Sequence, residues 1–173
     1  IAISLFALWN LDLISTLLNL KALQPKLPSE FKGIFTEDKY VESQHYTRVN
    51  SKFDVIQSTF SLALTLMFWF AGGFGCLDEW ARGLGYGEII TGLIFMGILF
   101  VGQTLIGIPF QLYSTFVIEE KFGFNKTTAK TFIIDQIKGL ILMALIGAPI
   151  LSLILWIFNS IEHAWLWAWI AFT

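Results

Sequence analysis

The residues of this 173-residue chain that could do chemistry are few: two histidines, one cysteine and thirteen carboxylates. A metal-activated water needs ligands that converge, and the usual helical solution is H-E-x-x-H, with two imidazoles one turn apart and a glutamate base between them. Neither His45 nor His163 belongs to such a pair. Glu42 and His45 stand three apart on a predicted helix. That spacing occurs in carboxylate–histidine metal motifs, but a lone pair of this kind is ordinarily a solvated surface pair. His163 reads as solvated. Cys76, being alone, can make neither an internal disulfide nor a zinc cage, and reads as a packing residue. Near the N-terminus, Asp12, Ser15, Thr16 and Asn19 recur at i, i+3, i+4 and i+7, one stripe of a helix. Further on, Glu119, Glu120 and Lys121 precede Gly123, Phe124 and Asn125. There a glycine permits a sharp turn and an asparagine can cap the next helix.

The elements that must position these groups are membrane helices. Hydrophobic residues make up 55% of the chain and charged residues 14%, where a soluble domain has about 25% charged. The charges are also segregated. Val55–Leu77, Ile89–Ile118 and Gly139–Ile161 are uncharged runs of 23, 30 and 23 residues, and Ile1–Leu20 carries only Asp12. A hydrocarbon core of ~30 Å needs roughly 20 helical residues. Backbone polar groups in lipid must pair internally, and runs without alternation exclude barrel strands. The pattern predicts an all-α, polytopic membrane helical bundle. Its spans fall at about 1–22, 53–77, 88–118 and 139–161, with a truncated fifth at 163–173. As helices, the stretches are 1–22, 37–77, 88–118, 126–158 and 163 onward, with a possible break at Lys138. The short fifth run and a first residue of Ile1 predict a piece of a longer protein, with residues 1–173 its membrane-embedded N-terminal domain. The N-terminal run lacks the basic flank of a secretory signal.

Ten of the eleven basic residues lie in the first and third loops, 21–54 and 119–138, and only Arg82 lies in the second. Basic loops stay cytoplasmic. The N-terminus is therefore predicted outside, with the first loop a cytoplasmic helical one. Pro25 and Pro28 end the first helix, and Thr36-Glu37-Asp38 suits the start of a long second one. Pro109 and Pro149 predict kinks in the third and fourth spans, and Trp165, Trp167 and Trp169 suit the outer interface. Residues 126–138 carry Ala129, Phe132, Ile133 and Ile137 on one side with Lys126, Lys130 and Lys138. They read either as an amphipathic surface helix or as a span starting at a slant. A charge in mid-membrane costs roughly 2.5–3.5 kcal/mol on the insertion scale unless it faces protein or water. The stripe of Asp12, Thr16 and Asn19 therefore lines a hydrated cavity or makes a hydrogen-bonded helix contact.

The stretch 116–138, FVIEEKFGFNKTTAKTFIIDQIK, resembles the signature of the type I CAAX prenyl proteases, integral-membrane zinc metallopeptidases that process lipidated C-termini. The match runs Phe116-Val117-Ile118-Glu119-Glu120-Lys121, Gly123-Phe124-Asn125, then Phe132, Asp135 and Ile137-Lys138. Phe31, Tyr40, Ser43 and Tyr46 in the segment 28–47 resemble the same family. The resemblance implies a bundle enclosing a large intramembrane chamber. It also implies that Glu119, Glu120, Lys121, Gly123, Phe124, Asn125 and Asp135 serve structure or docking, not catalysis. The H-E-x-x-H motif, a third glutamate ligand and the Zn2+ would belong to the parent protein beyond Thr173, with no zinc held by this chain and no activity in it alone. Implied partners are the lipid bilayer, the protein's own C-terminal catalytic domain, and a peptide or prenylated protein substrate.

Other intramembrane protease motifs fail. The type II CAAX pattern E-E-x-x-x-R would need arginine where Phe124 stands, the presenilin-type G-x-G-D meets Cys76, and no rhomboid-type G-x-S occurs. No basic aromatic patch points to nucleic acid. The competing class is a non-enzymatic bundle, a transporter part or scaffold, which a polar stripe and broken helices also suit. The membrane is either the bacterial inner membrane or the endoplasmic reticulum.

Overall fold

A computed structural model describes residues 1–24, 26–27, 33, 36–161, 163 and 166. Among them every regular element is helical: α1 (Ala2–Ala22), α2 (Glu37–Phe70), α3 (Gly73–Gly83), α4 (Glu88–Tyr113), α5 (Ala129–Leu142) and α6 (Ala148–Ser160). π-helical stretches at Ser114–Glu119 and Met143–Gly147 continue α4 and join α5 to α6. Among the described residues, four continuous helices, Ala2–Ala22, Glu37–Phe70, Glu88–Glu119 and Ala129–Ser160, are long and apolar enough to cross a membrane. The all-α, four-span expectation holds. The expectations for Pro25, Pro28, Phe31 and the tryptophans at 165, 167 and 169 lie outside the described residues.

The chain forms two compact units, residues 1–73 with 106–126 and residues 74–105 with 127–173. In the first, α1 packs along α2. Thirty-four residues make α2 ~51 Å long, well beyond the hydrocarbon thickness. The charged half, Glu37 to Asp54, therefore projects past the uncharged half. Glu37 and Asp38 occupy its first turn, behind an extended Thr36, where the helix dipole favours anions.

The expected helix over 37–77 stops early. Gly72 adopts φ +76°, its N–H bonding the Trp69 carbonyl at 3.0 Å. A side chain there would be strained. The uncharged run ignores this break, so residues 73–77 belong to α3, a separate helix. In the second unit, α3 turns Ala81 inward, fully buried, and exposes Trp80. Along α3 the Asp78 carboxylate accepts from Arg82 Nε at 2.8 Å and pushes the guanidinium pKa up from its ordinary value.

The other departures lie around α5. Its cap is not Asn125 but Thr128, whose hydroxyl accepts from the Thr131 N–H at 3.1 Å. The helix starts at Ala129 and not at 126, and it runs unbroken past Lys138. The irregularity comes later, at Met143–Gly147, just ahead of Pro149. Proline has no N–H for the carbonyl four residues back and its ring crowds that turn. A widened turn there spares both problems.

Candidate functional site

The Glu119–Asn125 segment closes the overlong helix that begins as α4. The backbone N–H of Phe124 bonds the Glu119 carbonyl at 2.9 Å and that of Gly123 bonds the Glu120 carbonyl at 3.1 Å. Gly123 sits at φ +73°. This pair of bonds around a left-handed glycine is a Schellman closure, which satisfies carbonyls that a helix end leaves free. The Asn125 N–H adds a second bond to the Glu119 carbonyl at 3.2 Å, and its Nδ2 donates to Glu120 Oε2 at 2.8 Å. Asn125 thus locks the turn it follows.

The closure throws two rings against α2. Phe122 is buried and meets His45 and Tyr46 edge-on at 5.2 and 5.3 Å. Phe124 meets Tyr46 at 4.8 Å. Lower down, Phe53 stacks on Tyr113 at 5.0 Å and Phe60 tilts on Phe110 at 5.2 Å. Tyr46, Phe53 and Phe60 are seven apart, so they share one face of α2. That seam fastens α2 to the second half of α4 and its closure. Edge-to-face ring pairs contribute about 0.5–1.5 kcal/mol beyond their buried area.

Beside the clasp lies an open cleft of ≈ 540 Å³, lined by Asp38, Val41, Glu42, His45, Lys121 and Phe122. Lys121 Nζ stands 5.5 Å from the Phe122 ring. Among the described residues no three His, Cys, Asp or Glu side chains gather as metal ligands. Glu42 is exposed and His45 packs on Phe122 instead of facing further ligands. These residues do not fit a zinc centre.

The family-motif residues thus divide. Gly123, Phe124, Asn125 and the Glu120 carboxylate come together in one turn, with Lys121 on the cleft. The Glu119 side chain is half-buried. Asp135, exposed on α5, makes a loose 3.9 Å ion pair with Lys138. In α1, Asp12 and Asn19 are exposed and Thr16 is half-buried. The sequence reading named His45 and Tyr46 but did not join them to the Glu119–Asn125 turn, and it passed over the seam below them. The seven-residue aromatic spacing was the signal available.

Residues 16–173 match the family described as the CAAX prenyl protease N-terminal domain, five membrane helices. The chain is 34% identical over 157 residues to CAAX prenyl protease 1 of Saccharomyces cerevisiae, covering 85% of this chain and 35% of the relative. It is 29% identical over 171 residues to the mouse CAAX prenyl protease 1 homolog, covering 94% of this chain and 36% of the relative. The crystal structure of Ste24p from S. mikatae superposes with a TM-score of 0.86 at 33% identity, over 96% of this chain and 40% of that one. The chain therefore spans about a third of the length of the relatives it matches.

Proposed function

The chain belongs to the CAAX prenyl protease N-terminal family, and from that premise we propose that it is the membrane domain of a zinc metalloendopeptidase acting on CAAX-type prenylated C-termini or other membrane-associated proteins. The observation that carries this reading is the superposition on Ste24p along nearly the whole chain at 33% identity. In this reading the spans wall an intramembrane chamber. Asp12, Thr16 and Asn19 of α1 line it, where a mid-membrane carboxylate needs water or protein. In the same reading the metal and its H-E-x-x-H ligands belong to the rest of the protein.

We assign the charged end of α2 and the Glu119–Asn125 turn to the cytoplasm and the N-terminus to the opposite side. The ten-to-one basic asymmetry favours this. The contact of Tyr46 with Phe124 supports placing the two segments on one side together, since loops in contact share a side of a membrane. The matched relatives are eukaryotic, which favours the endoplasmic reticulum over a bacterial membrane. The turn and its cleft are then placed to seat the protein's own C-terminal catalytic part.

The test uses the full-length parent, purified and offered a farnesylated CAAX peptide. Cleavage that stops on chelation and returns with zinc is the expected result. No cleavage by a folded parent whose sequence lacks H-E-x-x-H would leave a non-enzymatic bundle.

A further inference from the structure

The short helix α3 carries more apolar surface than its own unit covers. Phe74, Leu77 and Ala81 recur at i, i+3 and i+7 on one side of it. Ala81 is fully buried and the other two are half-buried. Cys76, Trp80 and, just past the helix end, Leu84 recur every four residues and form the adjoining flank. All three are exposed, Trp80 at 53% and Leu84 at 44%. The charges lie on the far side. Asp78 and Arg82 close on each other at 2.8 Å, and Glu79 stands exposed beside them. The helix is thus sorted into a protein side, a polar side and an exposed apolar flank.

The path of the chain brings that flank to a bilayer surface. Gly73–Gly83 has 11 residues, ~16 Å of helix, about half of what the hydrocarbon core needs. It lies between the end of α2 at Phe70 and the start of α4 at Glu88. Both of its ends are therefore tied to span ends on one side of the membrane. From Phe74 onward α3 shares a compact unit with α4 as far as Leu105. The link between them is tight. Gly85, at φ +75°, donates its N–H to the Arg82 carbonyl at 3.0 Å. The hydroxyl of buried Thr91 donates to the Tyr86 carbonyl at 3.2 Å. That bond holds exposed Tyr86 against the first turn of α4, where the uncharged run begins at Ile89. Tyr86 and Ile90 are exposed before and after that start, so the apolar surface continues into the span. Tryptophan and tyrosine favour this boundary, with the ring in the apolar layer and the polar tip among headgroups.

We propose that α3 is an interfacial helix that lies along the membrane, with Trp80, Leu84 and Tyr86 seated between headgroups and acyl chains at the start of α4. Its partner is the lipid surface, taken by apolar area. Headgroup charge does not select it: residues 73–87 carry two acids and one base, and the base is already paired. The inference rests on the spanning assignment of α2 and α4 and not on the protease reading.

The full-length parent, its native cysteines replaced, is reconstituted in phosphatidylcholine vesicles with one nitroxide label at a time, on Trp80→Cys, Leu84→Cys, Glu79→Cys or Ile98→Cys. Power saturation compares collisions with oxygen, which partitions into lipid, and with a water-soluble nickel chelate. Labels at 80 and 84 should meet oxygen severalfold more than nickel, and the label at 79 the reverse. Replacing part of the phosphatidylcholine with phosphatidylserine should move none of them. A label at 80 or 84 that meets nickel more than oxygen overturns the proposal, because the flank then faces water. One that meets neither also overturns it, because the flank is then covered by the rest of the protein or by another copy. Oxygen contact that appears only with phosphatidylserine overturns docking by apolar area. The label at Ile98, inside α4, separates the premise from the inference: if it too meets nickel, the spanning assignment falls and the proposal with it. Should Trp80→Cys fail to fold, Leu84→Cys against Glu79→Cys decides.

Discussion

Tyr46 and Phe124 stand edge to face at 4.8 Å, although 78 residues of chain separate their positions in the sequence. Phe122 adds the buried half of the same contact. Eighteen residues from Glu37 to Asp54 carry α2 ~27 Å past its uncharged half, and these ring contacts fasten that end to the Glu119–Asn125 turn. Phe122→Ala should cost about 3–5 kcal/mol of stability in the parent protein. A cycle of Tyr46→Ala with Phe124→Ala should return a coupling of about 0.5–1.5 kcal/mol. Denaturant unfolding of detergent-solubilised protein measures both, and a coupling of zero would dissolve the clasp.

Gly123 should resist substitution for conformational reasons alone. A Cβ there meets no atom within 4 Å, yet φ is +73°. Gly123→Ala should destabilise by about 1–2 kcal/mol, and Gly123→Asn by less, because asparagine tolerates this backbone region. Equal stability of the alanine and asparagine variants would mean the turn rearranges.

Thr128 and Asn125 separate two roles that the sequence merged. Thr128→Ala removes the cap of α5 and should cost about 0.5–2 kcal/mol. Asn125→Ala removes the side-chain bond to Glu120 and should cost about 0.5–1.5 kcal/mol. A larger loss for Asn125→Ala in helix content, read by circular dichroism, would restore it as the cap.

Glu120 carries the docking reading. Its carboxylate accepts from the Asn125 amide at an exposed position. In the full-length protein, Glu120→Ala should lower stability or turnover beyond the loss seen with Asn125→Ala, because a charge covered by the catalytic part and left unmatched costs about 3–5 kcal/mol. Identical losses for the two variants would reduce the turn to a local lock.

Topology can be read with cysteines in a Cys76→Ser background, since Cys76 is exposed. Labels at Lys39 and Lys130 should react only from the cytoplasmic side, and a label at Gly85 only from the other. Labelling of Lys39 and Gly85 from one side would refute the four-span path.

Run length and charge segregation made the membrane fold legible, because lipid punishes charge wherever it falls along a helix. The same counting was blind to Gly72, whose backbone ends α2 without any change in hydropathy. The motif was legible as a pattern, and Gly123 as its turn. Its partners were not, because Tyr46 and His45 reach Phe122 through tertiary packing between positions more than seventy residues apart. Asn125 and Thr128 are both good caps, and only the position of the turn decides which one serves.

The widened turn at Met143–Gly147 sets the rotational phase of all that follows. One extra residue per turn rotates the rest of a helix by roughly 100°. A Cβ on Gly92 would come within 2.8 Å of Leu155 Cδ1, so the side chain of Leu155 fills the space that the missing one leaves. Deleting a single residue between 143 and 147 would leave composition and hydropathy almost unchanged and turn Leu155 away from that hollow. The fit of α6 to its neighbour is thus encoded as a count of residues, which no substitution in α6 itself can restore.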